Sequence, residues 1–202
     1  MKKLKVISIS VFFVLIGSGF YLNKKMALEH KKYKLISKEG KFEIRFYPPA
    51  IIATTTLNSS KYSEAANPGF RKLAGYIFGS NKENKKIAMT SPVELKMNQE
   101  NMEMSFTMPS DQNINELPKP NDPSIQINKT NEEYTASIEF GGYASDEKIT
   151  KFTEELKKFL LTKKITANGN FRFLGYNSPF KLLGRKNEII VPIVFTPNLA
   201  EN

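Results

Sequence analysis

Residues 70–93, FRKLAGYIFGSNKENKKIAMTSPV, join a helix to a strand through a glycine stop and a charged turn. Asn67 reads as an N-cap and Pro68 as a first-turn residue, positions that suit both. Phe70, Leu73, Ala74 and Ile77 recur at i, i+3, i+4 and i+7, one apolar stripe along a helix at 68–78. Gly79 ends that helix. From Ile87 the period drops to two. Ile87, Met89, Ser91, Val93, Leu95 and Met97 share one face of a strand at 87–97, with Ala88, Thr90, Glu94 and Lys96 on the other.

Outward from this block the same succession of elements occurs twice. Strands at 42–47 and 50–57, the helix at 68–78, and strands at 87–97 and 102–108 make a first unit. Strands at 124–129 and 133–140, a helix at 146–161, and strands at 171–176 and 188–195 make a second. TSPVEL at 90–95 is echoed by NSPFKL at 177–182, 87 positions later, and the Pro- and Asn-rich stretch 109–123 connects the halves. Met102, Met104, Phe106 and Met108 alternate with polar residues, as do Tyr134, Ala136, Ile138 and Phe140, the pattern of antiparallel strands with one buried face. The second helix takes Ser145 or Asp146 as its cap and carries Ile149, Phe152, Leu156, Phe159 and Leu160 on one stripe. Two helices on such a sheet make an α+β domain with two pseudo-symmetric repeats.

The chain has 202 residues and a net charge of +10. Ten lysines against two glutamates lie in residues 1–41, whereas 42–202 hold twenty basic and eighteen acidic side chains. A nucleic-acid-binding domain carries its positive charge on the folded face that meets phosphate, so nucleic acid is not expected as a partner. The excess lies beside VISISVFFVLIGSGFYL at 6–22, which has no charge. As a helix this segment would be about 25 Å long. With Lys2, Lys3 and Lys5 in front it reads as a signal peptide or an N-terminal transmembrane anchor over residues 1–22. A polar linker at 23–32 and a domain at 33–202 follow. The expectation is an exported domain tethered at the cell envelope, with a cytoplasm-facing domain as the alternative, since lysines flank the segment on both sides.

The side-chain inventory narrows the chemistry. There is no cysteine, and His30, the one histidine, falls in the linker. Histidine-dependent nucleophile systems and the usual zinc and iron–sulfur ligand sets are therefore not available to the domain. Glu43, Glu94, Glu139 and Glu188 leave carboxylate catalysis open, but at alternating strand positions they read most simply as solvent-facing. Met89, Met97, Met102, Met104 and Met108 read as core filling rather than as a thioether-lined site. Gly141-Gly142 marks a bulge or a strand end where Tyr143 turns outward.

Several of these motifs resemble the SOUL haem-binding protein family. Its members carry a helix ending in Tyr-Ile-x-Gly-x-Asn and a following Met-Thr-x-Pro-Val strand, matched here from Tyr76 to Val93. Phe42-Glu43-Ile44-Arg45, Tyr47-Pro48-Pro49, Phe140-Gly141-Gly142-Tyr143, Gly175-Tyr176-Asn177-Ser178-Pro179 and Arg185-Lys186-Asn187-Glu188 follow the family's order over residues 33–196. The resemblance implies a distorted antiparallel β-barrel of about eight strands with two helices, the gyrase-inhibitor-like effector-binding fold. It also implies non-enzymatic binding of haem or another tetrapyrrole, in transport, storage or buffering. The matching contact positions are Phe70, Leu73, Ala74 and Ile77 on the first helix, with Arg71 or Lys72 for the propionates. Tyr176 occupies the family's Gly-Tyr-x-x-Pro position, where it caps a pocket, coordinates iron or hydrogen-bonds a neighbouring loop. With no histidine in the domain, an iron ligand is expected from Tyr176, Tyr76 or a methionine, or else five-coordinate iron with water, and no metal ligand is assigned. Two other functions are compatible with the sequence: a carboxylate-dependent hydrolase or isomerase of a hydrophobic small molecule, and an envelope interaction protein with no haem role.

Overall fold

The computed structural model describes residues 28–177, 181 and 183–196. The segment at 6–22 lies outside them, and among the described residues no helix is long and apolar enough to cross a membrane. The described residues form eleven strands and two α-helices in the order β1 (Glu29–His30), β2 (Lys34–Glu39), β3 (Phe42–Tyr47), β4 (Ile51–Leu57), α1 (Tyr62–Ile77), β5 (Thr90–Ser91), β6 (Val93–Met97), β7 (Met102–Thr107), β8 (Ile125–Lys129), β9 (Glu133–Gly141), α2 (Asp146–Lys163), β10 (Arg172–Gly175) and β11 (Lys186–Pro192).

Nine strands form one antiparallel sheet in the order β2-β3-β9-β11-β10-β6-β7-β4-β8. Exchanging each element of the first unit for its counterpart (β3 for β8, β4 for β9, β6 for β10, β7 for β11) turns the order from β3 to β8 into its own reverse. The pseudo-twofold relation expected from the sequence is thus written in the pairing, and its axis passes between β6 and β10. The helices obey it too. α1 packs on β4 and β7, α2 on their counterparts β9 and β11.

The sheet is barrel-like but open, with β2 and β8 as its edges. β2 was not expected from the sequence, because all six of its residues are exposed and no apolar alternation marks it. Glu29 and His30, expected in the linker, pair in parallel with Thr90 and Ser91. The expected strand at 87–97 is divided at the cis Ser91–Pro92 bond into β5, which pairs with β1, and β6, which pairs with β7 and β10. Ser178 and Pro179 lie outside the described residues. The Ser-Pro echo does not mark equivalent positions, since Ser91-Pro92 precedes β6 while Ser178-Pro179 follows β10.

The first helix begins at Tyr62, well before the expected cap at Asn67. Its N-cap residue, Lys61, supplies no side-chain cap. Asp146, the first residue of α2, caps it instead, accepting the N–H of Tyr62 at 2.6 Å and of Ser63 at 3.2 Å. Pro68 consequently sits inside the helix, on its exposed side. Gly69 beside it faces the sheet, where a Cβ would lie 2.7 Å from Leu57 Cδ1 and 3.1 Å from Met104. At the other end the stop is as expected, with Gly79 at φ +115°.

The two faces of the sheet differ sharply. Towards the helices point Ile44, Ala53, Leu95, Met104, Phe106, Ile138, Phe173 and Ile189, all buried. Stacked pairs Phe42–Phe159 and Phe140–Phe152, with centroids 4.1 and 4.4 Å apart, fasten α2 to it. The opposite face is polar and yet buried along its middle.

Candidate functional site

That buried polar face contains the glutamates expected to face solvent. Glu188 on β11 is 0% exposed and Arg45 on β3 only 2%. Arg45 donates two parallel hydrogen bonds to Glu188, at 2.7 and 2.8 Å, and a third from Nε to Glu43 at 2.8 Å. Tyr176 donates its hydroxyl to Glu188 at 2.7 Å, and Lys186 reaches the same carboxylate at 2.9 Å. Farther along, Glu94 meets Arg172 at 3.3 Å and Lys31 at 3.7 Å. Of the four glutamates only Glu139 is largely exposed. Cations on neighbouring strands and on the N-terminal segment explain the difference, because a buried carboxylate is tolerated where it is paired and hydrogen-bonded. Burial alone would raise the Glu188 carboxyl, but Arg45, Tyr176 and Lys186 outweigh it and hold it below the usual range. Burial, reinforced by the Glu188 charge, keeps the Tyr176 phenol protonated far above its ordinary pKa.

The N-terminal segment lies across this network. Tyr33 stacks on the Arg45 guanidinium at 4.2 Å, Lys31 sits 5.0 Å over the Tyr47 ring, and His30 is 6.4 Å from Tyr176. A cavity of about 280 Å³ beside it is lined by Glu29, His30, Lys31, Lys32, Met108 and Lys129, with no phenylalanine or tyrosine among its lining residues.

On the helix face, a second cavity of about 250 Å³ opens between α1 and the central strands. Its walls are Tyr62, Ala66 and Phe70 of α1, Val93 and Leu95 of β6, Met104 of β7, and Phe173 of β10. Asn67, Asn177, Asn187 and Arg185 supply its polar groups, and Tyr143 stands at its mouth, half exposed. Tyr62 meets Phe173 edge-on at 5.1 Å, and Phe70 contacts Phe106 at 5.4 Å. No carboxylate is among the lining residues.

Of the six residues expected to hold a tetrapyrrole, only Phe70 lines this cleft. Leu73, Ala74 and Ile77 point into the core at 0%, 8% and 1% exposure. Arg71 is on the solvent side of α1. Tyr176 follows Gly175 along the strand direction and so projects to the opposite face, onto Glu188. Tyr76, the other tyrosine considered for iron, is buried and donates to the Pro118 carbonyl at 3.0 Å. The face of α1 that meets the cleft runs Tyr62, Ala66, Phe70, one register round from the expected stripe. Sequence reasoning missed it because the helix was taken to start after Tyr62 and Ala66. A start at Tyr62 would have exposed that i, i+4, i+8 row.

The family description "SOUL heme-binding protein" fits residues 28–192 of the chain. The chain belongs to this family. Among its relatives, "Heme-binding protein 2" of Mus musculus is 30% identical, covering 83% of this chain and 87% of that protein. The Homo sapiens protein of the same name is 32% identical, covering 74% of this chain and 77% of its own. Two solved structures share the architecture. The C-terminal domain of EcmrR superposes with a TM-score of 0.60 at 10% identity, over 81% of this chain and 99% of that one. A hydrolase from Listeria innocua gives 0.55 at 9% identity, over 86% and 97%. At such identities they show the fold alone, the gyrase-inhibitor-like arrangement of the SOUL domain.

Proposed function

We propose that this SOUL protein binds haem or a related tetrapyrrole without transforming it, in the cleft between α1, β6 and β10. The observation that carries this reading is the make-up of the cleft: aromatic and aliphatic walls, one guanidinium and three carboxamides, and no lining carboxylate. A planar apolar macrocycle with carboxylate substituents calls for such a surface, the ring against Tyr62, Phe70 and Phe173 and a carboxylate at Arg185. Ligand clefts commonly enclose roughly 300–1,000 Å³, so the ring enters by one edge and the remainder lies over the mouth. The names of the SOUL relatives support the ligand class. The carboxylates that a hydrolase or isomerase would need are ion-paired on the far face of the sheet, which favours binding over catalysis. The near-balanced charge of residues 42–202 supports a small-molecule partner over nucleic acid.

The apolar segment at 6–22 supports a location at the membrane, with the domain exported and tethered, where carriage or buffering of a hydrophobic ligand has a use. Alkaline phosphatase fused after Asn202 should then be active in a bacterial host, and an inactive fusion would put the domain on the cytoplasmic side. The ligand is tested by titrating ferric haem into the full-length protein. A saturable, one-to-one change in the Soret band is expected. A linear, unsaturated response would refute the reading.

A further inference from the structure

The cleft offers few atoms to an iron. His30 is paired into β1 with Ser91, next to Tyr176 on the other face of the sheet. Of the side chains that generally hold haem iron, only methionine and tyrosine line the cleft, as Met104, Tyr62 and Tyr143. Met104 is 3% exposed, with its sulfur packed against Gly69 of α1. Tyr62 is committed to the wall by its edge-on contact with Phe173, and burial raises its phenol above the ordinary range. Tyr143 differs from both. It stands at the mouth, 51% exposed, and its placement is built. β9 ends at Gly141, and Gly142 takes φ +80°, a left-handed conformation that turns the chain out of the sheet. The Gly142 carbonyl accepts a hydrogen bond from Asn187 at 2.8 Å, and Asn187 is itself 3% exposed. The Arg185 guanidinium lies 4.4 Å from the centre of the Tyr143 ring. Three residues thus hold one exposed phenol over an aromatic cleft.

Building on the tetrapyrrole reading, we propose that Tyr143 ligates the iron of a haem seated in this cleft. Its oxygen bonds the metal as phenolate after loss of the hydroxyl proton to water, and the Arg185 guanidinium beside the ring offsets the negative charge. An anionic oxygen ligand suits ferric better than ferrous iron. The cleft therefore distinguishes ferric haem from the metal-free ring, which only the walls and Arg185 would hold.

The experiment titrates ferric haem and protoporphyrin IX separately into the full-length protein and into Tyr143→Phe, with circular dichroism confirming that both fold. The wild type should bind ferric haem with a high-spin, phenolate-type spectrum and more tightly than protoporphyrin. Tyr143→Phe should lose that spectrum. Its haem affinity should fall by at least the roughly 10–100-fold that removing an outer-shell partner of a metal costs, and by clearly more than its protoporphyrin affinity. An unaltered ferric spectrum and affinity in Tyr143→Phe would overturn the assignment. So would equal affinity of the wild type for the two ligands, although the cleft itself would then stand. If the wild type takes up neither, the tetrapyrrole reading falls together with its ligand.

Discussion

Asp146 Oδ1 accepts the backbone N–H of Tyr62 at 2.6 Å, so the first residue of α2 caps the first residue of α1. The capped helix end is also the cleft wall, because Tyr62 lines the site. Burial would raise the Asp146 carboxyl, but hydrogen bonds from Ser63 and Tyr62 prevail and hold it below the usual range. Its contribution to stability is therefore present above the unfolded-state aspartate pKa and is lost as pH falls through the lower folded-state value. Asp146→Ala should cost about 1–2 kcal/mol, the effect of losing an N-cap, in urea unfolding at neutral pH. The difference from wild type should shrink in acid.

The Arg45–Glu188 pair predicts a strongly non-additive double-mutant cycle. Glu188→Leu leaves the buried Arg45 with Glu43 alone, and Arg45→Met leaves the buried Glu188 with Lys186 and Tyr176; each should cost up to about 3–5 kcal/mol, the range for breaking a buried pair. The double variant should cost clearly less than the sum of the two. With its carboxyl depressed, Glu188 stabilises the fold at neutral pH, and that stability is lost as acid protonates it. Additive single costs in equilibrium denaturation would show that the two side chains do not act as a unit.

Two alanines on α1 separate core from cleft. Ala74 is 8% exposed in the core, so Ala74→Glu should destabilise by several kcal/mol or unfold the domain. Ala66 is half-buried on the cleft wall, so Ala66→Glu should fold and lose haem. Thermal melts and haem titration of both variants check the pair. A folded Ala74→Glu that loses ligand would restore the original stripe as the contact surface.

Tyr176→Phe should leave any ferric haem spectrum unchanged, since its hydroxyl is spent on Glu188 across the sheet. In an ultraviolet pH titration of the folded protein, Tyr176 should remain unionised throughout, while burial pushes Tyr47 and Tyr76 up to about 12. A Tyr176→Phe protein with fewer phenols titrating near pH 10 than wild type would contradict this placement.

The repeated order of elements, the second helix from Asp146 and the alternation of β7 and β9 were legible because period and caps are local signals. What escaped was set by distant partners. α1 starts at Tyr62 because a carboxylate 84 residues on caps it, and nothing near Lys61 announces that. Glu188 reads as a solvent-facing strand glutamate until Arg45, 143 positions away, is placed beside it. Tyr143 was visible as a residue turned out by Gly142, but its cleft is assembled from α1, β6 and β7 before it and β10 after it. The Tyr62, Ala66, Phe70 row on the cleft wall went unread because the helix start was placed too late in the sequence.

The near-palindromic strand order has a last consequence. β6 and β10 flank the pseudo-axis, and the cleft opens over them. Tyr62, Ala66 and Phe70 come from the first unit, Phe173 and the Tyr143–Arg185–Asn187 group from the second. Neither half owns a complete cavity. A duplication of one ancestral motif would have created the recess at the moment of fusion, as the seam between two copies. The first unit supplies most of the apolar wall, and the second most of the polar rim.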